Sequence, residues 1–219
     1  MESDSWGSIA ERTTIPAGCE ASSEWNNSTP GLAATDTISS ISQTGATWVL
    51  VKAKTGVAID SEIWAAYNVQ SAGTTITVNV TAITTVAIAN VYEYAAPNTI
   101  SLDLTASNSG TTSPSDTGTT GTISQAQEVL VGCIAAAATG SQSAPTNGFT
   151  LIDGAVTSAV GSNAFLELIV AATQTANSGT TLGGVTTDWA GCMATFKSVA
   201  AVIVTGSRRF PAAGLGNFF

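Results

Sequence analysis

The chain has 219 residues and a formal net charge of −9, from six Lys/Arg against fifteen Asp/Glu. That length suits one large β-domain with a self-sufficient core, and the acidic balance opposes binding to a polyphosphate backbone. Charged residues make up 10% of it and 34 threonines fill much of the rest, against about 25% charge in ordinary soluble domains; such side chains suit pleated sheets and argue against an all-helical protein, while the lack of any histidine removes imidazole bases, serine–histidine triads and histidine metal ligands.

Residues 1–35 read as an irregular N-terminal arm, because Pro16, Gly18, Asn26, Asn27, Pro30 and Gly31 interrupt every periodic pattern. Trp6 and Trp25 in such a segment need a surface to cover, either a neighbouring subunit or the chain's own body. The opening Met1-Glu2-Ser3-Asp4-Ser5 has no basic start and no apolar run, so no secretory signal is expected.

From residue 36 the chain alternates strands and turns. Trp48–Ala53 and Glu62–Val69 are β-rich, and Ser71-Ala72-Gly73 is expected to close a hairpin from the second into the next strand. In Thr75–Thr81, Ile76, Val78 and Val80 share one face and the threonines and Asn79 the other, the pattern of a half-buried antiparallel strand. Val86–Tyr94 is apolar enough on both faces to be central in its sheet.

Residues 105–125 are a low-complexity Thr/Ser/Gly stretch, read as a long loop containing an edge strand. Beyond it come Glu128–Ala138, Gly148–Ile152, Ala164–Ala171, a Gly183-Gly184 turn and Trp189–Lys197. The spacing predicts eight to ten strands and no helix, hence an all-β antiparallel sandwich over 36–205. The longest apolar stretches, Val129–Ala138 and Val199–Val204, fall short of the roughly 20 residues of a membrane helix.

Residues 206–219 read as a C-terminal arm. Arg208, Arg209, Phe210, Leu215, Phe218 and Phe219 form a glycine-broken tail whose exposed rings would favour aggregation of a monomer, so they are taken, with Trp6 and Trp25, as interface candidates. Packing of the tail on the chain's own body is the alternative.

Chemistry-bearing residues are sparse. Cys19, Cys133 and Cys192 have no metal spacing; the latter two sit in apolar runs and read as buried thiols, a Cys133–Cys192 bridge requiring facing strands. Glu93 and Glu167 lie inside strands, where a glycosidase-like carboxylate pair is weighed against outward-facing structural acids. Asp103, Asp116, Asp153 and Asp188 lack a calcium-loop pattern; Asp153 and Asp188 read as turn residues bonded to nearby amides. No catalytic residue, metal or cofactor is expected.

Val91-Tyr92-Glu93-Tyr94, Glu128-Val129-Leu130-Val131-Gly132, Gly148-Phe149-Thr150-Leu151 and Asp188-Trp189-Ala190 through Phe196-Lys197, preceded by Ile63–Val69, resemble in order the motifs of a jelly-roll-like β-sandwich domain of phage virion structural proteins, also seen in bacterial surface proteins. The likeness spans about residues 45–198 and departs at Ala95-Ala96, where that family has serine and glycine. It implies a jelly-roll sandwich in a virion or surface-display setting. The expected protein is then a non-enzymatic virion subunit, made in the host cytoplasm and joined to copies of itself and to other proteins of a capsid or tail lattice, without nucleic acid or membrane. A carbohydrate-binding adhesin that recognises a host-surface glycan is the alternative.

Overall fold

The computed structural model describes residues 13–20, 37–67, 69, 72–80, 89–96, 98–138, 140–152, 156–157, 161–184 and 186–199. These form strands and no helix. In chain order they are β1 (Thr13–Glu20), β2 (Ile38–Ser42), β3 (Trp48–Thr55), β4 (Asp60–Ala66), β5 (Thr77–Val80), β6 (Asn90–Ala96), β7 (Thr99–Gly110) and β8 (Ser115–Asp116). The second half adds β9 (Glu128–Ala138), β10 (Gln142–Ser143), β11 (Thr150–Leu151), β12 (Val156–Thr157), β13 (Ser162–Val170), β14 (Gly179–Leu182) and β15 (Thr186–Val199).

Two antiparallel sheets carry the architecture. The first runs β3-β4-β1-β6, and the second runs β11-β13-β9-β15-β7, with β12 also on β13. They face each other across a core of Ile59, Ile63, Ala65, Val131, Cys133, Ala135, Phe165, Ala190, Cys192, Ala194 and Phe196. Rings cross this interior: Tyr92 lies 6.1 Å from Phe165 and Tyr67 6.2 Å from Phe196, within the range of favourable tilted pairs.

Both sheets are also covered on their outer faces. On the first, a two-stranded β2-β5 ribbon lies over Trp48, Trp64 and Ala66, contributing Ile38 and Ile41. On the second, the β10-β14-β8 sheet and its flanking loops cover Leu130, Ile134, Ala164, Leu166 and Met193. Alternation explains this: odd residues of β9 from Val131 to Ala137 face the inter-sheet core, whereas Leu130, Ile134 and Ala136 belong to clusters on the opposite side.

The low-complexity stretch is part of that cover. β7 extends into it as far as Gly110 and is an edge strand, as expected. Beyond β8 the chain runs beside residues 174–178: Thr117, Thr120 and Ile123 donate amide protons to Ser178, Ala176 and Gln174 carbonyls at 2.8, 2.9 and 3.0 Å. The buried Thr117 and Thr120 hydroxyls accept the Ser178 and Ala176 amides at 3.0 and 2.8 Å. Threonine here stands in for backbone partners that a ladder would supply, which keeps a buried loop satisfied.

Three expectations are corrected. Within the supposed irregular arm 1–35, Thr13–Glu20 is a strand between β4 and β6; Pro16 and Gly18 argue against a central strand in isolation, but two neighbours impose the extended conformation. β5 pairs with β2 instead of forming a hairpin with β4, because the Gly73 amide is held by the Thr44 carbonyl at 2.8 Å. β6 is an edge of its sheet, its one strand neighbour among the described residues being β1.

Close layer contact makes a stability prediction. A Cβ on Gly191 would run into the Asp116 carbonyl and backbone of the covering layer, whereas one on Gly121 would meet only Leu104 Cδ1 at 4.0 Å. Gly191→Ala should cost about 3 kcal/mol in urea unfolding, and Gly121→Ala less than about 1 kcal/mol.

Candidate functional site

Trp6, Trp25, Arg208, Arg209, Phe210, Leu215, Phe218 and Phe219, the residues nominated as an interface, lie outside the described residues. Asp153 does as well. Among the described residues, three other places concentrate exposed or polar function.

The first is the β3 edge. Among the described strands β3 is hydrogen-bonded on one side only, to β4, and it leaves Val49 and Leu50 43% and 49% exposed. Lys52 and Lys54 lie on the same strand, and neither joins an ion pair among the described residues. In a chain with six cations, this is an apolar strand edge with a basic flank. A register irregularity between Leu50 and Lys52 is a feature common at sheet edges. The sequence contained the signal, the run Val49-Leu50-Val51, but periodicity alone does not tell an edge strand from a central one.

The second place lies at one end of the second sheet. Asp103 on β7 accepts the Lys197 ammonium at 2.6 Å, the Ser124 amide at 2.7 Å and the Ser124 hydroxyl at 2.7 Å. Lys197 on β15 also donates to Ser124 Oγ at 2.8 Å, and Glu128 on β9 stands directly opposite Lys197. Burial opposes ionisation of Asp103, but the bonds from Lys197 and Ser124 outweigh it and hold the carboxyl down to about 2. Glu128, by contrast, is raised above its ordinary 4.5, by burial first and by the Asp103 charge next. Two neighbouring carboxyls are thereby pushed apart. For nucleophilic chemistry at Ser124 the arrangement is poor: its proton points at a carboxylate too weakly basic to take it.

The third is inside the core. Cys133 and Cys192 are register partners on β9 and β15, both buried and neither in a disulfide. They converge on β4: Cys133 Sγ is 3.0 Å from Ser61 Oγ, and Cys192 Sγ donates to the Ser61 carbonyl at 3.2 Å. Burial drives the Cys192 thiol well above 9.0, so it is a small polar hydrophobe and a poor nucleophile. On the other face of β4, Glu62 accepts the Trp64 indole proton at 2.6 Å and the Ile38 amide at 3.2 Å. It thereby ties the β2-β5 ribbon to the sheet beneath it.

Two further acids tie separate segments together. Asp188 takes the Ala58 amide at 2.6 Å and bonds the neighbouring Val57 and Ile59 amides as well. It pins the turn between β3 and β4 to β15; the reading of Asp188 as a turn residue is corrected, since it lies within β15 and holds amides distant in sequence. Asp116 accepts Asn177 Nδ2 at 2.8 Å. Glu93 is exposed on β6 and Glu167 is on β13, in different sheets. No cluster of three or more Cys, Asp or Glu suited to a metal occurs among the described residues.

Comparison with protein families, with curated proteins and with solved structures gave no match.

Glu62 supplies a pH prediction. Burial raises its folded pKa above 4.5 despite the bonds from Trp64 and Ile38, so above that value the folded chain holds a proton that the unfolded chain has released. Stability contributed by this group therefore falls as pH rises through the interval. Urea unfolding of Glu62→Gln from about pH 4 to about pH 8 should lack this downward component relative to the unsubstituted chain; parallel curves would contradict it.

Proposed function

We propose that the protein is a non-enzymatic structural subunit of a bacteriophage virion, a capsid decoration or cement protein or another head- or tail-associated component. It assembles with copies of itself through its sheet edges and terminal arms. The β3 edge carries this reading. A strand paired on one side only among the described residues, with exposed apolar side chains, is a template for further pairing, and Lys52 and Lys54 suit it to the acidic surface that a net charge of −9 gives every copy.

The rest of the body supports the same reading. Its polar interior groups join layers: Gln142 Nε2 donates to the Ile134 and Ser162 carbonyls at 3.0 Å each, and Thr180 donates to Gln142 Oε1 at 2.5 Å. Such cross-links make a stiff block, as a lattice component needs. The resemblance-bearing segments fall on this block, with Val91–Tyr94 in β6, Glu128–Gly132 in β9 and Trp189–Lys197 in β15. Jelly-roll winding is the finer part of the proposal and concerns connectivity. The described chain passes between the main sheets once, from β6 to β7, so two-sheet burial is what supports the scaffold.

Two variants test the proposal. Lys52→Glu with Lys54→Glu should weaken self-association in sedimentation by at least about tenfold, through like-charge repulsion, with the thermal midpoint preserved. Deletion of residues 207–219 should reduce particle incorporation while leaving the β circular-dichroism spectrum intact. An unsubstituted chain that stays monomeric and is incorporated equally well after both changes would overturn the assembly reading.

A further inference from the structure

Three adjacent strands, β9, β15 and β7, bring an amine and two carboxyl groups together at one end of the second sheet. Lys197 is on the central strand, with Glu128 its register partner on one side. On the other side the β7–β15 register shifts between Ala194 and Phe196, so that Asp103 and Leu104 oppose Thr195 alone. Bulges of this kind re-aim side chains, and Leu104 is fixed there by donating its amide to Thr195 Oγ1 at 3.0 Å. The result is Lys197 Nζ held 2.6 Å from Asp103 Oδ1, with side-chain exposures of 25% and 6%. Glu128 is 1% exposed; its Oε1 accepts the Gln125 amide at 3.3 Å, and its carboxyl also reaches Thr195 and Asp103.

An ordinary surface ion pair explains neither the 6% side-chain exposure of Asp103 nor a second, buried carboxyl beside it. We infer that Lys197 and Asp103 join in an intramolecular amide, with Glu128 as the proton shuttle. Nζ gives one proton to Asp103 and attacks Cγ with its lone pair. Glu128 relays a second proton from the nitrogen to the departing oxygen. One water leaves, carrying an Asp103 oxygen and two protons that came from the ammonium. Glu128 ends as it began, and no oxidant, metal or co-reactant enters.

Fixed juxtaposition is what drives the bond, since aligned groups within one molecule reach effective concentrations of about 10⁵ M or more. The depressed Asp103 makes the ion pair the resting state, so the amide accumulates slowly after folding. It staples edge strand β7 to β15 and closes the whole segment between residues 103 and 197 into a covalent loop. A particle component gains from such a staple because it resists forced unfolding.

The test is the intact mass of the folded full-length chain, followed for days at neutral pH. The inference expects a mass one water below that of the sequence and, after digestion, a branched peptide that joins the segments containing Asp103 and Lys197. Lys197→Arg keeps the cation but should retain the full mass, and Glu128→Gln should slow the loss by about a hundredfold. A wild-type chain that keeps its full mass overturns the inference, as does a water loss that persists in Lys197→Arg. An unchanged rate in Glu128→Gln overturns the role given to Glu128.

Discussion

Strand β9 has no solvent face. Residues Leu130–Ala137 are all buried, and this one constraint organises the molecule. A strand buried on both sides must have a second sheet on one side and some further cover on the other. The first need is met by β3-β4-β1-β6, the second by the β8, β10 and β14 layer. Small residues follow from it: Cys133, Ala135, Ala190, Cys192 and Ala194 let the two main sheets meet. Gly132 serves the outer side, where a Cβ would press on Thr117, Leu166 and Met193 at 3.2 to 3.3 Å. The same economy recurs at β4, whose Ile63 and Ala65 face inward while Trp64 and Ala66 face the β2-β5 ribbon.

Double burial has an electrostatic consequence. Polar groups caught between layers must find partners there, and the covering loops supply them. Thr117 and Thr120 bond residues 176–178, Gln142 bridges Ile134 and Ser162, and Glu62 joins Trp64 to Ile38. Carboxyls inside this frame pay in desolvation, which raises Glu62, Glu128 and Asp188. Asp103 goes the other way because a lysine reaches it. The polar groups of the interior are committed to structure, whereas β3 is paired on one side only among the described residues.

Much of this was legible in the chain. The run Glu128–Ala138, apolar from Val129 onward, is β9 to the residue, and the Thr/Ile/Val alternation of 75–81 gives ribbon strand β5, whose Val78 packs with the preceding Ile76 on Trp64 and its neighbours. What was not legible depends on distant partners. β1 was hidden because Pro16 and Gly18 weaken any local strand signal, and only β4 and β6 on either side make it one. Residues 115–125 look like a solvated linker by composition, yet their threonines are buried partners for a chain segment some 60 residues on. Asp103, Glu128 and Lys197 lie on three strands, and their meeting depends on register and a bulge that no spacing rule reveals. The aromatic and basic residues nominated as an interface lie outside the described residues.

Amide hydrogen exchange of the native chain tests the doubly buried strand most directly. Amides of Val131–Ala137 and Ala190–Phe196 should exchange only through global unfolding, with opening free energies equal to the total stability, and the outward amides of β3 should exchange through local opening at far lower cost. Exchange in β9 as fast as in β3 would mean that the central slab is not closed on both faces, and the layered account would be wrong.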